Sequence, residues 1–142
     1  MTERRQRPHQ SLEVYQLAHA LALRVYRLTM RLPNHEMYEE GAQVRRSSKS
    51  VSSQIVEGHA LRRYKAEYVH YLWRSYGSAE ETIEHLQYFL EAGSVEHEDA
   101  ECGDLIAQYV VLCRKLFNYI ESVEKRHDPS RPISVSARPP DS

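Results

Sequence analysis

The hydrophobic positions along this chain repeat with the period of an α-helix in four separate segments. Apolar residues three and four positions apart line one face of a helix, so each repeat predicts an amphipathic helix with one buried side. The four predicted helices cover residues 12–32, 36–60, 64–92 and 97–126. Pro33 and Gly93 mark two of the short connections between them, because proline interrupts a helix and glycine commonly ends one.

The second predicted helix has an unusually thin apolar seam for its length. Its seam consists of Val44, Ser48, Val51 and Ile55. A helix with so little apolar surface must be held by close neighbours, and its run of serines leaves room for them to approach. The third predicted helix has a bulkier seam, which begins with Tyr64 and Tyr68 and continues to Leu90.

Long helices joined by short connections favour antiparallel neighbours. We therefore predict an all-α fold, an antiparallel up-down-up-down four-helix bundle with a disordered C-terminal tail. The predicted organisation is a flexible N-terminus over residues 1–10, a bundle over 11–127 and a Pro/Ser-rich disordered tail over 128–142.

The formal net charge of −1 conceals two halves of opposite sign. Residues 1–75 hold 13 Lys/Arg and 7 Asp/Glu, a balance of +6, whereas residues 76–142 hold 6 and 13, a balance of −7. Two interpretations follow. The basic half presents a face to an anionic partner, or the basic helices pack beside the acidic ones.

The sequence shows no recognisable membrane span or export signal. No apolar run approaches the roughly 20 residues that a span requires, and no apolar core follows the basic residues at the N-terminus. We therefore expect a cytoplasmic protein without membrane contact. Eleven residues of one helix separate Cys102 from Cys113 by about 16 Å, which is too far for a disulfide within one chain. Both are therefore predicted to be buried thiols.

Catalytic and metal sites find little support in the residue pattern. Glu67 and His70, with Glu124 and His127, have the Glu-x-x-His spacing of di-iron bundles. At about 100° per residue, however, Glu67 and His70 point away from the predicted core seam. The serine run lacks the glycine-rich turn of a nucleophile or phosphate loop. We expect no enzyme activity, no metal and no cofactor.

Two clusters of cations form the candidate nucleic-acid site, because such clusters neutralise phosphates without reading bases. The first lies on the second predicted helix and the second lies at the junction that follows it. Their members are Arg45, Arg46 and Lys49, then Arg62, Arg63 and Lys65.

A second apolar stripe runs along two of the predicted helices, away from their core seams. Val69, Trp73 and Tyr76 form it on the third helix, and Tyr15, Ala22 and Tyr26 form it on the first. Trp and Tyr are enriched at subunit interfaces, so these residues predict a homo-oligomer.

Five sequence blocks, in order, resemble one family: the small four-helix bundle proteins encoded in intervening sequences of bacterial 23S ribosomal RNA genes. The resemblance covers about residues 11–93, with Gln54 standing where the family usually has Asn. The blocks are Leu12-Glu13-Val14-Tyr15; Leu32-Pro33 with Glu36 and Tyr38; Gln43 to Val51; Gln54-Ile55-Val56-Glu57-Gly58; and Gly77-Ser78-Ala79-Glu80-Glu81.

The resemblance implies a homopentameric barrel of four-helix bundles without enzymatic activity. It also relates the chain to the accessory proteins of diversity-generating retroelements, which are thought to bind nucleic acid and a reverse transcriptase. We therefore expect a non-catalytic homo-oligomer that binds RNA or DNA through its basic helices. The alternative is a protein–protein interaction scaffold that binds no nucleic acid, with its cations facing acids of a neighbouring subunit such as Glu80, Glu84 or Glu91.

Overall fold

The computed structural model describes residues 6–93, 95 and 99–126, and this part of the chain is helical without a β-strand. A short 3₁₀ helix precedes four long helices and one short helix. They are the 3₁₀ helix Pro8–Ser11, α1 (Glu13–Thr29), α2 (Asn34–Tyr38), α3 (Glu40–Ala60), α4 (Lys65–Ala92) and α5 (Asp99–Arg126). The predicted all-α class with four long helices is confirmed. The predicted tail, residues 128–142, lies outside the described residues.

The first two predicted helices have different boundaries in the structure. α1 ends at Thr29 rather than near residue 32. The second predicted helix is divided into α2 and α3 at Glu39, whose φ of −92° and ψ of −89° are not helical. The segment predicted to be flexible covers residues 1–10. Its last three residues belong to the 3₁₀ helix, in which His9 is buried.

The four long helices pack in a closed cycle, because α3 and α5 each contact both α1 and α4. α1 and α4 therefore occupy opposite corners of the arrangement, as do α3 and α5. Side-chain contacts fix the direction of several pairs. Ser50 meets Ser78 while Ser47 meets Thr82, so residue numbers rise along α4 as they fall along α3.

The core is apolar and is built from every long helix. Two predicted core positions are wrong. Tyr64 is 59% exposed, because it precedes α4 with an extended backbone and does not share the buried face of that helix. Leu90 is 38% exposed in the last turn of α4, where Phe89, three residues after Leu86, enters the core instead.

The contact between α3 and α4 is made by small polar residues, as the serine run predicts. Ser47 and Ser48 are buried. Ser75 Oγ donates a hydrogen bond to the carbonyl of Val51 at 2.7 Å, and Thr82 Oγ1 donates to Ser47 Oγ at 2.9 Å. These bonds satisfy the buried hydroxyls of Ser47, Ser75 and Thr82, which lets the two backbones approach closely.

The contact between α1 and α5 has a different chemistry. Arg24 donates to Glu101 Oε1 at 2.9 Å and to Asp104 Oδ2 at 2.7 Å. Further along, Lys115 donates to Glu13. Charged groups thus join the outer edges of α1 and α5, whereas the central contact of α3 with α4 uses hydroxyls, and His85 of α4 lies 3.6 Å from Glu40 of α3.

Candidate nucleic-acid interface and apolar surfaces

The outward side of α3 is polar and carries two exposed cations, Arg46 and Lys49. They lie about one turn apart along the helix. Both are exposed because Val44, Val51 and Ile55 direct the opposite side of α3 into the core. Within the described ranges neither side chain makes an ion pair or hydrogen bond. We call Arg46 and Lys49, with the exposed Ser53 on the next turn, the α3 face.

A surface cleft of about 370 Å³ adjoins the α3 face. It is lined by Gln43, Arg46, Ser47, Ser50 and Glu81. Its lining combines a guanidinium, hydroxyls and an amide with one carboxylate, so it offers donors to an anion at one side and repels it at the other.

Arg45 has different surroundings from Arg46 and Lys49. Arg45 is half-buried, and its Nη2 donates to the carbonyl of Met37 at 2.8 Å. A side chain on Gly41 would begin only 3.0 Å from Arg45 Nη1, so this glycine leaves room for the guanidinium. Arg45 thus connects α3 to α2, while Arg46 and Lys49 stay exposed.

The second cation cluster is divided in the same way. Arg62 Nη1 donates to the carbonyl of His59 at 2.9 Å, and Lys65 Nζ donates to the carbonyl of Glu124 at 2.7 Å. Arg63 is exposed and makes no such contact within the described residues.

Arg45, Arg62 and Lys65 share one property: each donates to a carbonyl in the last turn of a helix. Carbonyls in the last turn lack the usual i+4 donor of their own helix, and the helix dipole makes them favour cations. The carbonyl of His59 also accepts the backbone N–H of Arg62 at 3.2 Å. The sequence pattern could not separate the two kinds of cation, because the distinction depends on where each helix ends. For Lys65 it also depends on α5, which lies 59 residues further along the chain.

The predicted aromatic stripe of α4 forms a larger surface together with α5. The ring of Trp73 lies 5.4 Å from that of Tyr76 and 5.9 Å from that of Phe117. Val69 and Tyr76 are partly buried, whereas Trp73, Val110 and Phe117 are 39%, 44% and 42% exposed. We call Val69, Trp73, Tyr76, Val110 and Phe117 the α4–α5 patch. The sequence interpretation missed Val110 and Phe117, although they lie two turns apart on the outer side of α5.

The two tyrosines predicted on the first helix lie in different surroundings. The ring of Tyr15 contacts those of His9 and His19, at 4.7 and 5.6 Å. Tyr26 is 44% exposed. Leu23 and Met30, at 45% and 46%, extend this outward side of α1. We call Leu23, Tyr26 and Met30 the α1 strip. Leu23 and Met30 were missed, although their spacing is helical.

Two buried groups have strongly altered acidity, His59 and Cys113. Burial lowers the pKa of His59 to about 4, with smaller contributions from Arg62 and His9. Burial raises the pKa of the Cys113 thiol to about 12, and Glu80 adds to this effect. A thiol of such high pKa is a poor nucleophile, since the thiolate is the reactive form.

Neither a metal cluster nor a membrane span is found in the described part of the chain. There, no three His, Cys, Asp or Glu side chains group closely enough to hold a metal ion. Glu67 and His70 are exposed on α4, and His127 lies outside the described residues. None of the described helices is both long and apolar enough to cross a membrane.

A comparison with protein families found a match over most of this chain. The family model described as 23S rRNA-intervening sequence protein matches residues 10–118. The match extends beyond the blocks that carry the resemblance and includes most of α5. A search of curated proteins found no significant match. Because the family model covers more than half of the sequence, the chain belongs to the 23S rRNA-intervening sequence protein family.

Proposed function

We propose that this protein is a non-catalytic, cytoplasmic homo-oligomer, a pentamer, which binds RNA or DNA through phosphate contacts. The α3 face carries the proposal: Arg46 and Lys49 project from a packed helix and are not engaged by other described side chains. Arg63 extends the basic surface at the end of the same helix. Arg45, Arg62 and Lys65 contribute charge, although each also donates to a backbone carbonyl.

Oligomerisation would strengthen the binding of nucleic acid to such a surface. Two or three cations in one copy give weak, salt-sensitive binding to a phosphate backbone. When several copies present the same face, one nucleic-acid strand engages more than one of them, and the overall affinity rises through effective concentration. Binding of this type depends on phosphates, so it discriminates weakly between base sequences.

The test is a filter-binding assay with a short single-stranded RNA and a short DNA duplex, between about 50 and 200 mM salt. The parent should bind, with an affinity that falls steeply as salt rises. The variant R46A/K49A should lose most of the affinity. If each copy engaged contributes both contacts, the log–log salt slope should decrease by roughly two per copy.

The matched control is K125A/R126A, which removes the same charge from exposed positions in the last turn of α5. It should bind almost as tightly as the parent. Equal losses in the two variants would show that only net charge matters, and would contradict the assignment of the α3 face.

The rival function is a protein-interaction scaffold without nucleic-acid binding. The exposed apolar side chains of the α1 strip and the α4–α5 patch favour it, because such surfaces commonly mark protein contacts. An oligomeric parent that fails to bind either nucleic acid at low salt would favour the scaffold over the nucleic-acid proposal.

A further inference from the structure

The cleft beside the α3 face is lined by opposite charges that do not pair with each other. Arg46 of α3 and Glu81 of α4 both line this space of about 370 Å³. The contacts of the two side chains with other described residues include no ion pair between them. A guanidinium donates hydrogen bonds and a carboxylate accepts them. The cleft is therefore suited to a ligand that offers acceptors at one side and donors at the other.

Packing of α3 against α4 fixes the two sides of the cleft relative to each other. Four lining residues share one stripe of α3, at the i, i+3, i+4 and i+7 spacing of a helix face. They are Gln43, Arg46, Ser47 and Ser50. Glu81 precedes Thr82, whose hydroxyl donates to Ser47 Oγ at 2.9 Å. This buried hydrogen bond holds Glu81 beside the stripe.

The groups that a ligand can reach are the amide, the guanidinium and the carboxylate. Both serines of the cleft already form hydrogen bonds inside the bundle. The side chains of Gln43 and Arg46 are exposed and form none with other residues in the described ranges. Glu81 Oε1 lies 3.5 Å from His85 Nε2, at the long limit of a hydrogen bond. Both carboxylate oxygens therefore keep lone pairs for a donor.

The carboxylate determines which part of a nucleic acid suits the cleft. Glu81 would repel a phosphate, whereas it can accept the N–H groups at the edge of a base. A duplex uses these N–H groups in its base pairs, and only an unpaired base exposes them. The cleft volume of about 370 Å³ is near the lower end of the roughly 300–1,000 Å³ of small-ligand sites, which suits a single nucleoside.

Guanine has the base edge that matches these groups best. Its Watson–Crick edge presents the acceptor O6 beside the donors N1–H and N2–H, so one carboxylate meets two donors at once. Adenine, cytosine and uracil each present a single donor nitrogen on that edge. The amide N–H of Gln43 supplies a donor for O6.

We propose that the cleft binds an unpaired guanine of a single-stranded nucleic acid. Glu81 accepts N1–H and N2–H, Gln43 donates to O6, and the cations of the α3 face hold the neighbouring phosphates. The inference rests on the proposed nucleic-acid binding. It adds a preference for one base and for single strands, which phosphate contacts alone do not give.

Fluorescence anisotropy at low salt compares three short labelled strands with the full-length protein. They are an oligouridine, the same strand with two separated guanosines, and that strand with inosines, which lack the N2 amino group, in their place. The parent should bind the guanosine strand about five- to tenfold more tightly than the oligouridine, and the inosine strand with an intermediate affinity. The preference is modest because the Glu81 side chain is 61% exposed and water competes for it.

Equal affinities of the parent for the guanosine strand and the oligouridine would overturn the proposal. So would tighter binding of the guanosine strand after it is annealed into a duplex, because pairing hides the Watson–Crick edge. Deoxyribose versions of the strands distinguish RNA from DNA as the source of the guanine.

The variant E81Q separates acceptance of a base from repulsion of a phosphate. It removes the negative charge, so the oligouridine should bind more tightly than it does to the parent. The guanosine preference should fall to about twofold or less, because a neutral amide has one acceptor oxygen. Equal strengthening of both strands would show that Glu81 only repels phosphates and would contradict the proposal.

E84Q is the matched control, because Glu84 is exposed on α4 and does not line the cleft. It should leave the guanosine preference of the parent unchanged. Circular dichroism checks the fold of both variants. Loss of the preference in E84Q to the same degree as in E81Q would contradict the assignment to Glu81.

The outcomes also separate this inference from the proposed function. A protein that loses affinity in R46A/K49A but shows no guanosine preference would keep the proposed function and overturn the guanine site. A parent that binds neither the single strands nor a duplex at low salt would remove both.

Discussion

At the scale of single residues, Gly58 shows how closely α3 and α4 approach. A Cβ at this position would lie 2.9 Å from the Cβ of Tyr71 and 3.3 Å from both the ring and the carbonyl of Tyr68. We expect G58A to destabilise the protein by about 1–3 kcal/mol, because two packed helices would have to move apart. The loss should exceed the gain of about 1 kcal/mol in helix propensity. Urea unfolding measures the change.

Gly77 provides the matched control in α4. It is exposed, and a Cβ there would meet nothing within 4 Å. G77A should therefore stabilise the protein by about 0.5–1 kcal/mol through helix propensity alone. The two substitutions are chemically identical and should have opposite signs. Stabilisation by both would contradict the close contact at Gly58.

At the scale of helices, the cations after α3 test the role of helix ends. R62A and K65A should each lower the free energy of unfolding by about 0.5–1 kcal/mol, since each removes a donor from a last-turn carbonyl. R63A should change it by less than about 0.5 kcal/mol, because Arg63 is exposed. Equal effects of the three substitutions on urea unfolding would contradict this division.

The helices themselves were largely predictable from the sequence. Their apolar periodicity extends over many turns, which makes the existence of each long helix a local property of the chain. The break at Glu39 was not predictable, since no glycine or proline marks it. Likewise, Lys65 contacts the end of α5 only because two distant segments meet.

The same limit explains what was missed on the surface. Trp73 and Tyr76 were found because both lie on one helix at helical spacing. Phe117 joins them only through the packing of α4 against α5, which no local pattern encodes. Of the six cations, the sequence identified the clusters but not which members remain exposed. That property depends on helix termini and on the half-buried position of Arg45.

At the scale of the whole molecule, acid stability should depend on buried histidine. The pKa of His59 is lowered from its ordinary value of 6.5 to about 4, first by burial and then by Arg62 and His9. Burial and Arg7 also lower the pKa of His9. Because the unfolded chain binds these protons more readily, the two histidines cost no stability above about pH 6.5. Below that pH the free energy of unfolding falls as the pH decreases.

For His59 the loss should reach about 3 kcal/mol near pH 4 and then level off. H59Q removes this titration, so its stability should decline less than that of the parent between pH 6.5 and 4. H70Q is the control, because His70 is exposed on α4. Urea unfolding across this pH range measures the three curves. Parallel curves for the parent and H59Q would show that His59 does not contribute.

The position of Trp73 has a practical consequence for the whole molecule. It is the single tryptophan in the sequence, and it lies 39% exposed in the α4–α5 patch. Its ultraviolet emission therefore arises from this surface alone, and its wavelength depends on how much water surrounds the indole. Dilution of the unlabelled protein would shift the emission towards the red if copies separate there. The chain thus carries its own optical probe of the α4–α5 patch.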